Sequence, residues 1–101
     1  MSDSDLAFIG ELEEIVRDRL RTKSDNSYTA RLAGAGSKRI AQKVGEEGVE
    51  LALAAVAGDR DEILNEAADL TYHLVVLLAH EGLSLGDVAE RLRSRHATPA
   101  A

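Results

Sequence analysis

Apolar residues recur every three or four positions along most of this chain, the period of an α-helix rather than of a strand. Leu6, Ile9, Leu12, Ile15, Val16 and Leu20 form one such stripe and predict a first helix from about Ser4 to Leu20 or Lys23. Ser4 or Asp5 is placed to cap it. Lys23-Ser24-Asp25-Asn26 interrupts the pattern and reads as a connection. A short helix through Tyr28 to Leu32 follows, capped by Ser27 or Asn26 and broken by Gly34 and Gly36. Ser37 is the expected cap of a long helix from Lys38 to about Ala57. Gly58 ends that helix, and Asp59 caps the next, which reaches about His80 or Glu81. Gly82 ends it in turn, and Ser84 caps a last helix with Leu85, Val88, Ala89 and Leu92 on one side.

The pattern predicts an all-α protein of four to five helices. The two central helices are expected to form an antiparallel hairpin, because a tight turn at Gly58 allows little else. Val49 to Ala57 and Leu74 to Ala79 are apolar nearly all round. A chain of 101 residues has too little interior to cover both, since so small a domain buries only about 60–70% of its extended-chain surface. Dimerisation, with the hairpins of two copies completing one bundle, is the expected remedy. Residues 1–96 are expected to be one domain and 97–101, which hold the only proline, a flexible tail.

Composition narrows the function. The net charge is −6, which argues against a nucleic-acid partner, since phosphate backbones need a basic surface. Cysteine is absent, which removes disulfides, thiolate zinc sites and a cysteine nucleophile. The polar stretch Met1 to Asp5 is unlike a secretion signal. The longest apolar run, Leu51 to Ala57, is too short to cross a bilayer. No membrane partner is expected, and a cytoplasmic location is. The distribution of charge says more than the total: residues 46–69 carry −7 and residues 26–45 carry +4.

Helical phase shows where those acids lie. With Glu46 at zero, Glu50 falls near ~40°, Lys43 near ~60° and Glu47 near ~100°. Glu47 thus reaches the border of the stripe that holds Ile40, Val44 and Leu51. On the next helix Glu66 shares its face with Ile63, Leu70 and Leu77, with Asp69 and His73 beside it. A carboxylate on an apolar face needs compensation, by an arginine, a protonated His73 or a metal ion. Glu47/Glu50 and Glu66/Asp69 are i,i+3 pairs, each on one helix face. On adjacent helices they can converge into an all-oxygen set suited to a hard cation such as Mg²⁺ or Mn²⁺. Acidic pairs of this spacing also arise simply as solvated helix surface. A di-iron bundle is excluded, because it needs Glu-x-x-His and the positions before His73, His80 and His96 hold Leu70, Leu77 and Arg93.

Glu46-Glu47-Gly48-Val49-Glu50, followed after fifteen residues by Glu66-Ala67-Ala68-Asp69, resembles the E-E-x-x-E … E-x-x-D signature of the all-α nucleoside triphosphate pyrophosphohydrolases, the MazG-like superfamily. The segments Ser27 to Leu32, Lys38 to Glu47 and Glu66 to Leu78 are similar, more narrowly, to the phosphoribosyl-ATP pyrophosphatases of histidine biosynthesis. The resemblance runs from about Leu6 to Arg95. It implies Mg²⁺-dependent hydrolysis of phosphoribosyl-ATP between its α- and β-phosphates, giving phosphoribosyl-AMP and pyrophosphate, in a homodimer. Some family members are fused to a cyclohydrolase domain with a cysteine-bearing zinc site. The absence of cysteine here implies the monofunctional form.

The same resemblance implies roles. Glu47, Glu50, Glu66 and Asp69 would be metal ligands, and Glu46 a further ligand or the base that takes the water proton, with Glu46 and Glu47 the catalytic residues. Lys43, Lys38 and Arg39 are candidates for phosphate contact, against an i,i+4 ion pair with Glu47 for Lys43 and a solvated surface for the other two. His73 would support Asp69 or touch the substrate, or else sit at the core edge. Tyr28 and Tyr72 would stack on adenine or serve as packing, and Ser27 would lie near substrate or be only a cap. Two other functions compete. One is a housekeeping pyrophosphohydrolase of the same superfamily acting on non-standard nucleotides, and the other a non-enzymatic helical dimerisation module.

Overall fold

The computed structural model of the chain describes residues 3–22 and 27–97. Within them the chain is five α-helices and no strand: α1 Asp3–Thr22, α2 Tyr28–Gly34, α3 Ser37–Ala57, α4 Arg60–His80 and α5 Leu85–Ala97. The expected connection at 23–26, the alternative cap Asn26 and residues 98–101 of the tail lie outside the described residues. Ala97, assigned to that tail from sequence, is still in α5.

The turn chemistry accounts for the helix hairpin. Gly58 takes the left-handed conformation at φ 78°, and its N–H donates to the carbonyls of Ala54 and Ala55. A residue with a Cβ resists that geometry, so glycine stops α3 cheaply. Asp59 follows at once, and its carboxylate accepts from the N–H groups of Asp61 and Glu62. Two residues of turn leave α3 and α4 side by side and antiparallel, and they share the largest helix–helix contact of the fold. Asp59→Ala is expected to cost about 1 kcal/mol of stability by freeing the first turn of α4, read as a lower midpoint in urea.

Ser27 caps α2 by accepting from the N–H of Ala30. Ser84 and Asp87 cap α5 reciprocally: the Asp87 N–H donates to Ser84 Oγ and the Ser84 N–H to Asp87 Oδ2. Two expected caps are displaced. Ser37 is the first residue of α3, because Gly36, at φ 95°, makes the turn and leaves that end without a side-chain cap. The Ser37 hydroxyl donates instead to Glu81 Oε1, across to the end of α4. At the chain start, α1 already includes Asp3, so neither Ser4 nor Asp5 stands at its cap position. Gly34, expected to break α2, is its last helical residue.

The core is small. Val16, Leu32, Ile40, Val75 and Val76 are the buried apolar residues, with Leu12, Leu20, Tyr72, Leu77, Ala79 and Leu85 packed against them. It sits where α1 and α2 close over one end of the hairpin. Half of the predicted α1 stripe faces it, while Leu6 and Ile15 are exposed. Glu13 of α1 accepts a hydrogen bond from the N–H of Leu85 and so ties the start of α5 to α1. The outer face of the hairpin is bare: Val49, Leu53 and Val56 form an i,i+4,i+7 line on α3, with Leu64 exposed on α4. No helix among the described residues is long and apolar enough to cross a membrane.

Candidate metal centre

The hairpin brings the central acids together. One oxygen each from Glu47 of α3 and from Glu66 and Asp69 of α4 lie within 4.8 Å of one another. Glu47 is only 6% exposed, Glu66 is half-buried and Asp69 faces solvent. Both Glu47 Oε2 and Glu66 Oε2 are buried and have no hydrogen-bond partner. Unsatisfied carboxylate oxygens away from water are costly. Like charges this close raise the cost further.

Partial compensation comes from Lys43, one turn before Glu47. Its ammonium lies 3.4 Å from Glu47 Oε1 and 3.6 Å from Glu46 Oε1. Burial alone pulls the Lys43 ammonium down. The hydrogen bond with Glu47 and the nearby Tyr28, Glu47 and Glu46 outweigh it, so Lys43 holds its proton more tightly than a free lysine. Its i,i+4 ion pair with Glu47 therefore exists, and it faces the acid cluster. Glu46 turns outward, accepts from Gln42 Nε2 at 3.1 Å and is exposed. Lys38 and Arg39 are exposed on the first turn of α3, away from the converging oxygens.

Glu50 is exposed and is not one of the three converging acids, but it reaches Glu66. The Glu66 carboxyl is pushed up to about 7, first by a hydrogen bond with Glu50, then by burial and by the charges of Glu50, Glu47 and Asp69. Crowded by these carboxylates, Glu66 favours its protonated form. The folded state thus holds that proton more tightly than the unfolded chain. The resulting stability is complete below the ordinary value of 4.5 and is lost as pH rises toward about 7. Melts in chelator are expected to show the protein weakening across that window. Glu66→Gln, which needs no proton, should flatten the dependence.

Of the three compensators the sequence left open, two do not serve. No arginine makes an ion pair with the cluster among the described residues. Both His73 nitrogens are engaged elsewhere. Nδ1 lies 2.7 Å from the backbone carbonyl of Asp69, which can only accept, so Nδ1 carries the proton. Nε2 lies 2.8 Å from the Tyr28 hydroxyl and, in the neutral ring, accepts from it. Of the roles left open for His73, the structure shows a buried ring bonded to the main-chain carbonyl of Asp69 one turn back. The third compensator, a cation, is one the orphaned oxygens could accept. Oxygen-only donors from two helices, two of them buried and unpartnered, fit a hard divalent ion.

Sequence reasoning missed Thr29. It is fully buried, and its hydroxyl hydrogen-bonds that of Tyr72. That contact docks α2 on α4 and fixes Tyr72 as a packing residue. The partners are 43 residues apart, a separation no periodicity marks.

Fold and site together define an all-α protein in which carboxylates converge from the two arms of one helix hairpin. The chain belongs to the phosphoribosyl-ATP pyrophosphohydrolase family, whose model matches residues 9–96. It is 55% identical over 91 residues to the histidine biosynthesis bifunctional protein HisIE of Photobacterium profundum, covering 90% of this chain and 44% of that protein. To the protein of the same name from Escherichia coli K12 it is 56% identical over 89 residues, covering 88% of this chain and 44% of that one. The Vibrio cholerae counterpart is 51% identical over 94 residues, 93% of this chain and 45% of the relative. The chain thus spans about half the length of the curated relatives it matches.

Proposed function

We propose that this protein hydrolyses phosphoribosyl-ATP to phosphoribosyl-AMP and pyrophosphate, with Mg²⁺ as cofactor, as a step of histidine biosynthesis. Family membership supports the substrate. The observation that carries the chemistry is the pair of buried, partnerless oxygens on Glu47 and Glu66 beside Asp69. Glu47, Glu66 and Asp69 would hold the ion, with Glu50 as a fourth ligand once Glu66 loses its proton. Bound there, Mg²⁺ would screen the polyphosphate and polarise its oxygens. Glu46, exposed and paired with Lys43 and Gln42 on its own helix, would take the proton of the attacking water. Lys43 holds Glu47 in place and offers an ammonium to the phosphates. Lys38 and Arg39, one turn or more away on the same helix, add positive potential at the entrance.

The working unit in this proposal is a homodimer, its hairpins joined through the bare face of α3 and α4. Residues 1–96 act as one domain, and a cytoplasmic location belongs to the same reading. The test is pyrophosphate release from phosphoribosyl-ATP with and without Mg²⁺, beside dUTP and dCTP. Preference for a simple deoxynucleotide would overturn the substrate. Release that ignores Mg²⁺ would overturn the site.

A further inference from the structure

Tyr28 is anchored unlike an ordinary surface residue. The residue is 44% exposed, yet it is held on two sides. The His73 ring stands edge-on at 84° with centroids 5.8 Å apart, and the Tyr72 ring lies 6.5 Å away at 33°. The hydroxyl is spent on His73 Nε2 at 2.8 Å, so it is not held back for a ligand. Fixing an exposed aromatic ring costs side-chain freedom and returns little burial. The outlay makes sense where a flat apolar face must be ready beforehand.

Its position fits that purpose. Tyr28 is the first residue of α2 and is joined through His73 to the main chain of Asp69. That chain of two hydrogen bonds ties Tyr28 to the residue whose carboxylate converges with those of Glu47 and Glu66. Tyr72, by contrast, is partly buried with its hydroxyl against Thr29, and has no comparable open face.

We infer that the exposed face of Tyr28 is the platform on which the purine ring of the substrate stacks, with His73 and Tyr72 holding that platform in position. This rests on the nucleotide reading above and assigns the base-binding end of the same site. A nucleotide bound this way would place its base on Tyr28 and its phosphates toward Glu47, Glu66 and Asp69.

Two measurements test it. Tyr28→Leu keeps apolar bulk but removes the aromatic face, and is expected to raise KM for phosphoribosyl-ATP about 10- to 100-fold, the scale of one lost base stack, with little change in kcat. Tyr28→Phe, which restores the ring without the hydroxyl, should recover most of that loss. The second measurement needs no turnover and no variant of Tyr28. The chain has two tyrosines and no tryptophan, so Tyr72→Phe leaves one tyrosine ring to follow by NMR. AMP should move its signals upfield and inorganic pyrophosphate should not. An unchanged KM in Tyr28→Leu, or ring signals indifferent to AMP, would overturn the platform while Mg²⁺-dependent hydrolysis by the wild type stood. A wild type that shows the AMP shift but releases no pyrophosphate would instead overturn the reaction and leave the platform.

Discussion

Asp69→Ala is expected to abolish pyrophosphate release, with a fall of about 10³-fold or more in kcat, the upper scale for removing one preorganised charge-stabilising group. Asp69 is the informative choice because it is the exposed member of the three converging acids. Its side chain fills no part of the core, so truncation leaves no cavity. It also removes one of the charges that crowd Glu66. The metal-free variant should therefore melt no lower than wild type in chelator, with an unchanged helical CD spectrum. Loss of activity beside an intact fold separates a ligand from a structural residue. Glu50→Ala is expected to behave alike, with a further sign of its own: without Glu50, the Glu66 carboxyl loses the hydrogen bond that contributes most to its upward shift. Near-wild-type turnover in either variant would remove that residue from the metal set. Wild-type protection against melting by Mg²⁺, absent in Asp69→Ala, would show the same loss without an activity assay.

Which of these features the sequence displayed follows from how local their causes are. Gly58 and Asp59 act on their immediate neighbours, so the hairpin was legible from two letters. Ser27 and Ser84 cap as expected for the same reason. Ser37 misleads because two residues competed for one turn, and Gly36, free to take φ 95°, won. The acid pairs were visible as i,i+3 spacing on two helices, and the short turn then dictates that they meet. Spacing alone could not show that Glu47, at the border of its stripe, is buried while Glu50, three residues on, is exposed. That depends on which side of α3 receives α4. The Tyr28–His73 and Thr29–Tyr72 bonds join α2 to α4 across more than forty residues. No helical period relates such partners. The stripe of α1 was legible as a stripe, but not the fact that the core would receive only its Leu12, Val16 and Leu20 side.

That small core leads to the second large effect. Leu53→Glu is expected to convert a dimer into a monomer and to lower the melting temperature markedly. Five apolar residues among those described are buried in the single chain, which is little for a domain that must offset the entropy of ordering its backbone. Meanwhile Val56 is 88%, Leu64 69%, Leu53 64% and Val49 60% exposed on one hairpin. Exposed apolar side chains of this kind are what the proposed homodimer would cover. Each such side chain, fully covered, contributes about 1.5–3 kcal/mol, and twofold symmetry would count every one of them twice. A glutamate at the centre of that face must then be buried unpaired or keep the copies apart. Dimer affinity should fall by more than about 100-fold, visible by light scattering on a sizing column. Wild-type melting temperature should rise with protein concentration, as it must when folding and association are linked. Leu53→Glu should lose that dependence. Glu47 and Glu66 lie on the same two helices, so the variant also reports whether an isolated hairpin can hold the acids in register. A wild type that is monomeric at micromolar concentration, with a melting temperature independent of concentration, would mean that the bare face of α3 and α4 does not meet a second copy.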